Sequence, residues 1–183
     1  MSEMNRLPFS AMTTGFHQAV ERFKAASTGS DPVASAIPLF EALNWAVALD
    51  ERVRKDWAPD GVDNQPGWDW PARLTNESDA EAVRGVRFVR NRVHHQWADA
   101  IRLAQGGSRY PPQASQWVWV RANELPPPDD GHRERGRKGY ECLLENHAAD
   151  FTLAILDETY RFMVQLLEPF GPAPRWRHNA RTG

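Results

Sequence analysis

Met12, Phe16, Val20 and Phe23 recur at intervals of three and four residues, and the same spacing returns in three later stretches of the chain. Apolar side chains at that spacing form one stripe on an α-helix and share no single face of a strand. Such stripes must be buried against one another, so the expected class is all-α. The first helix is expected over 11–26, ending in the turn STGSDP. In the second, Asp31 offers an N-cap and Pro32 a first helical position. It runs on through Phe40, Leu43, Val47 and Val53 to about Trp57, and Pro38 either falls in the first turn of a later start or kinks an early one. Ser78 and Glu81 form a capping box for the third helix, which is expected to reach Gln105 and stop at Gly106-Gly107. Its stripe is Val83, Val86, Val93, Trp97 and Ile101. The fourth is expected over 140–168, with Leu144, Phe151, Ile155, Phe162 and Leu166 facing inward and His147 as a hydrogen-bonded core histidine.

The connections differ in character. Residues 58–78 are rich in Gly, Pro, Asp and Asn and read as a loop whose Trp68 and Trp70 pack back onto the helices. In 107–138, Trp117 to Val120 alternates with period two, as a strand does, and is bracketed by Pro111-Pro112 and by Pro126 to Pro128. This stretch reads as an inserted arm, for which a short β-hairpin is one form. The expected architecture is a single domain over 1–183, a four-helix bundle with the arm at 107–138 before the last helix and a basic flexible tail at 172–183. A chain of 183 residues is long enough for one sizeable core.

Charge narrows the function classes. Lys plus Arg is 22 and Asp plus Glu 24, so the formal net charge is −2 and a uniformly basic coat for polyanions is excluded. The cations are concentrated instead. RGVRFVRNRVHH at 84–95 carries four Arg and two His with no acid, HRERGRK at 132–138 has four cations against one Glu, and PRWRHNARTG from Pro174 has three Arg and no acid. A near-neutral protein with basic segments can hold a polyanion at one groove. Cys142 is the single cysteine, so neither an intrachain disulfide nor a cysteine zinc site is expected. No apolar run approaches a membrane span and no secretory leader is seen, so no membrane is expected and the cytoplasm is the default location. Glycine-rich phosphate loops and nucleophile elbows are absent. His17, His132 and His178 have no neighbours at metal-ligand spacing, and the adjacent pair His94-His95 points to two sides of a helix. No metal and no cofactor is expected.

Within the third helix stands Arg90-Asn91-Arg92-Val93-His94-His95. An Arg, then an Asn, then a His five positions after the Arg resembles the R-x4-6-H motif of HEPN domains, small helical bundles of which many are metal-independent RNases of toxin and defence systems. The resemblance covers the helical body and not the arm. It implies phosphate binding by Arg90, polar support from Asn91 and acid/base work by His95, in a cleft shared by two copies. RNA, a second copy of the chain, and an antitoxin or other partner protein are the partners it implies.

The residue types suit that chemistry. Cleaving RNA without metal needs a base for the 2′-OH proton and an acid for the leaving 5′ oxygen, and His can serve as either near neutral pH. Charge building on the phosphorane calls for a fixed cation, and Arg presents a donor fork matched to phosphate. Helix geometry leaves the histidine open. At 100° per residue Arg90 and His94 stand about 40° apart, Arg90 and His95 about 140°, and Arg87 and His94 about 20°. His95 fits the family spacing and aligns with Asn91, His94 is the competing choice, and a cleft built from two chains relaxes the need for one face. Arg87 and Arg92 are expected as RNA-backbone contacts and Arg84 as surface. Trp117 and Trp119 are expected to cover a core or a second copy more than to stack on bases. The alternative function is a non-catalytic HEPN-like module that binds RNA or a partner protein.

Overall fold

The computed structural model describes residues 7–56, 69–96, 99–104, 116–127 and 134–168, with the backbone alone for 56 and 94–96. The chain is mostly helical with one small sheet. Its elements are α1 (Phe9–Ser27), α2 (Pro32–Asp56), a 3-10 turn (Trp70–Arg73), α3 (Glu77–Gln96), β1 (Ile101–Ala104), β2 (Gln116–Trp119), α4 (Glu134–Gly139), a π-helical turn (Tyr140–Leu144) and α5 (Ala149–Leu167). The tail at 172–183, Trp68 and Trp97 lie outside the described residues.

The first two helices follow their signals. Met12, Phe16, Val20 and Phe23 of α1 are all buried. Its first turn is closed from the far end of the chain, because the Ser10 amide donates to the Glu168 carboxylate at 2.8 Å, a negative group where unpaired N–H groups collect. Asp31 caps α2 through its side chain, 2.9 Å from the Val33 amide, and Pro38 is carried inside the helix. By length and composition α2 could cross a membrane, against the expectation that no stretch could: its 18-residue window has mean hydropathy 1.3. In this fold it packs between α1 and α3, with Leu43, Leu49 and Val53 fully buried.

Helix α3 departs from expectation at both ends. The cap is Asn76, whose side-chain oxygen accepts from the Ser78 amide at 3.0 Å and whose amide donates to Asp79 at 3.0 Å. The N-cap therefore lies two residues upstream of Ser78. The helix does not reach Gln105. Ile101–Ala104 forms β1, paired antiparallel with β2 so that Ile101 faces Trp119 and Leu103 faces Trp117. A strand was expected over Trp117 to Val120 and is found at Gln116–Trp119, and its partner lies where helix was expected. The described residues 116–125 supply Trp117, Trp119, Val120, Ala122 and Leu125 to the core.

The expected fourth helix is broken. It starts as α4, passes through the π-helical turn closed by Glu145 N–H donating to Tyr140 O at 2.8 Å, and ends at Asn146, whose φ is 60°. Residues 145–148 then serve β2 as an edge partner, with the Trp119 amide donating to His147 O and the Asn146 amide to Trp119 O, both at 3.1 Å. His147 is exposed, not a core histidine, because it sits in this connection. The expected inner face of the last helix is also corrected. Leu144 is buried and Ile155 packs partly against the core, but Phe151, Phe162 and Leu166 are exposed, and α5 turns Leu153, Leu156, Tyr160, Met163 and Leu167 inward. The core joins α1, α2, α3 and α5 around Phe16, Phe23, Leu43, Leu156 and Tyr160, with Trp119 closing one end. Each such side chain contributes about 1.5–3 kcal/mol by leaving water.

Candidate functional site

Arg84, Arg87 and Arg90 follow one another at three-residue steps down α3, so they drift slowly around one side of it. The first two are neutralised within the protein. Arg84 donates through Nε and Nη2 to Asp69, which precedes the 3-10 turn, and through Nη1 to Glu81. It is a half-buried structural residue rather than a surface one. The bond to Asp69 holds its guanidinium even more firmly protonated than usual.

Arg87 pairs with Asp50 of α2, a carboxylate only 2% exposed. Asp50 Oδ1 also accepts from Trp70 Nε1 at 2.7 Å, which is how Trp70 packs back onto the helices as expected. Burial works against the Arg87 charge and the attraction of Asp50 more than offsets it. The expected role of Arg87 as an RNA contact is therefore corrected, since its charge is matched inside the fold. Arg92 is corrected more strongly. It is 4% exposed, its guanidinium lies 3.3 Å from the Phe88 ring centroid, and it donates to Pro126 O at 3.0 Å and Phe88 O at 3.1 Å. Arg92 pins the chain after β2 to α3 and cannot reach an RNA backbone from there.

Arg90 is different. Its Nε donates to Asn44 Oδ1 of α2 and its Nη1 to Asn91 Oδ1, each at 3.4 Å, the weak limit of a hydrogen bond. Among the described residues no carboxylate pairs with it. Arg90, Asn91 and Asn44 are half-buried, so the contact between α2 and α3 holds a guanidinium with unused donors beside two side-chain amides. Asn44 was not anticipated. The available signal was a poor helix former set in the apolar run Leu39 to Val47.

The helix continues through His94 and His95, whose side chains lie outside the described residues. Backbone position still separates them. His94 follows Arg87, Arg90 and Asn91 on the side turned to α2. His95 stands about 20° from Phe88 and about 60° from Arg92 around the helix, toward the side that carries the chain after β2.

A second titratable cluster lies between α1 and α5. His17 Nδ1 and Arg161 Nη2 each stand 3.0 Å from Asp157 Oδ2. No neighbour of His17 stands at metal-ligand spacing along the chain, and its partners Asp157 and Arg161 come from the last helix. Among the described residues no three His, Cys, Asp or Glu side chains group closely enough to hold a metal ion. Trp117 and Trp119 are buried, and Trp119 Nε1 donates to Thr152 at 3.1 Å, so neither offers a stacking face.

No family model matches the chain, and neither does any curated protein or solved structure.

Proposed function

We propose that the chain is a metal-independent endoribonuclease of the HEPN type, a four-helix HEPN-like bundle acting on RNA from the groove between α2 and α3. The observation that carries this reading is the contrast along α3: Arg84 and Arg87 are closed by carboxylates, whereas Arg90 has only two long amide contacts. A guanidinium left in that condition binds a phosphate without first breaking an ion pair. Asn44 and Asn91 fix its plane from two helices, and its remaining donors face developing charge on the phosphorane.

A histidine of α3 moves the protons. Within one protomer His94 shares the side of Arg90, while His95 serves a cleft closed by a second copy. Val33 and Ile37, 65% and 66% exposed, lie on the same stripe of α2 as Asn44 and give such a copy an apolar footing beside the groove. The dimer contact then runs through α2 and α3.

One observation favours the non-catalytic reading: the described groups around Arg90 are amides and guanidinium, none of which transfers a proton near neutral pH. Paired assays of binding and cleavage separate the two. Arg90→Ala is expected to abolish cleavage and to flatten the dependence of RNA affinity on salt by about one phosphate contact. The critical histidine replaced by Ala is expected to cut the rate by about 10²–10⁴ and leave affinity nearly intact. If both His94→Ala and His95→Ala cleave like the parent while Arg90→Ala binds poorly, the chain is the binding module.

A further inference from the structure

Helix α5 carries two apolar stripes. One is in the core. The other, Phe151, Ile155, Phe162 and Leu166, spans about 60° of the helix surface; Ile155 packs partly against the core, while Phe151 and Phe162 are each 53% exposed and Leu166 38%. Two large aromatic side chains aligned on one stripe mark a contact surface. The charges beside it are acidic. Glu158 lies between the apolar pairs, and it comes close enough to Asp79 of α3 to add to burial in pushing that carboxyl upward. Among the described residues no cation pairs with Glu158 or Asp79. Arg161, the sole cation of α5, is held by Asp157 and His17.

These charges argue against a second copy on this stripe. An antiparallel self-pair matching Phe151 to Leu166 and Ile155 to Phe162 has its two-fold axis between residues 158 and 159. Glu158, adjacent to that axis and beside the stripe, then lies next to its own mate. A parallel pair also sets Glu158 against itself. An isologous contact therefore confronts acid with acid, whereas a basic segment with an aromatic anchor meets both the stripe and the carboxylates.

The chain contains one such segment, and it follows α5 directly. Residues 172–183 hold Arg175, Trp176, Arg177 and Arg181 and no acid. We propose that this segment folds back along α5, with Arg175 and Arg177 against Glu158 and Asp79 and Trp176 on the stripe of Phe151, Ile155, Phe162 and Leu166. The lengths agree. Glu158 stands about 15 Å back along the helix from Glu168 at 1.5 Å per residue. A chain that reverses by Pro172 regains about 15 Å in some five extended residues, which brings Arg175 to Arg177 level with Glu158.

The test uses the full chain with Cys142→Ser and Asn179→Cys, a nitroxide on the new cysteine, and amide NMR signals of α5 as readout. The expected result is loss of the signals around Ile155 to Phe162, unchanged on dilution. Glu158→Arg is expected to restore them, and Glu158→Arg combined with Arg175→Glu and Arg177→Glu to remove them again. Signals at full height in the labelled parent overturn the proposal. So does loss that appears only when isotope-labelled chains without nitroxide are mixed with nitroxide-bearing chains, since the occupant is then another molecule.

Discussion

Arg87 and Arg90 are one helical turn apart on α3 and do opposite things. Removing the Arg87 side chain leaves Asp50 buried without its cation, and removing Asp50 leaves the guanidinium and Trp70 Nε1 without an acceptor. Each loss of one partner from a buried pair costs about 3–5 kcal/mol. Arg87→Ala and Asp50→Ala are thus expected to lower the urea midpoint steeply. Arg90→Ala breaks only two contacts at the 3.4 Å limit and is expected to cost under about 1 kcal/mol. A large loss for Arg90→Ala would mean that it is a structural residue, and the candidate site would lose its central group. Tyrosine sets a second residue-scale expectation. Burial holds the Tyr140 and Tyr160 phenols far above the ordinary tyrosine range, and each donates to a backbone carbonyl, Val120 O and Ala46 O. The folded pKa is raised, so this contribution is intact below the unfolded value near 10 and is lost as pH rises beyond it. Stability should fall above about pH 10 by about 1.4 kcal/mol per pH unit for each tyrosine. Tyr140→Phe and Tyr160→Phe should each remove one share of that slope in denaturant midpoints measured on either side of about pH 10.

At the scale of elements, the break before α5 decides how the second half of the chain is arranged. Asn146 holds φ at 60°, a region that costs a residue with a Cβ about 1–2 kcal/mol unless it is Asn, Asp or Gly. Asn146→Ala is expected to destabilise by about that amount, while Asn146→Gly should lose little beyond the exposed bond from Arg102. Equal stability of the two variants would remove backbone conformation as the reason for the break. Gly139 tests the neighbouring contact. A Cβ there would meet the Glu81 carbonyl oxygen at 2.8 Å, so α4 crosses α3 too closely for a side chain. Gly139→Ala should cost about 1–3 kcal/mol by forcing the two helices apart. These features explain what could be read in advance. The ends of α1 and α2 and the inward Trp70 were legible because turn residues, a cap and apolar spacing agreed. The early end of α3 was not, because Ile101-Arg-Leu-Ala suits a helix equally well and only pairing with Gln116–Trp119 makes it a strand. The break at 145–148 contains neither Gly nor Pro. On α5 two apolar stripes compete, and the bulkier one stayed outside.

At the scale of the molecule, the Arg90-Asn91 pair was legible because residue type and spacing carry it locally. Asn44 and the closure of Arg87 by Asp50 were not, because each depends on how α2 lies against α3. The same packing gives the proposed mechanism its shape: two neutralised arginines lead to one that is open, at a groove flanked by exposed Val33 and Ile37. If a second copy completes that groove, the chain should sediment as a dimer, and Ile37→Glu should shift it to monomer and reduce cleavage together. Cleavage retained by a monomeric Ile37→Glu variant would place the whole site, with His94, in one protomer. The most direct measurement is end-group analysis of RNA incubated with the purified protein in excess chelator. The account predicts cleavage that chelation leaves untouched, with 2′,3′-cyclic phosphate and 5′-hydroxyl ends, because the 2′-hydroxyl is the nucleophile that a histidine can activate. Ends bearing 3′-hydroxyl and 5′-phosphate, activity that returns only with a divalent ion, or no cleavage of any RNA by the parent protein would contradict it.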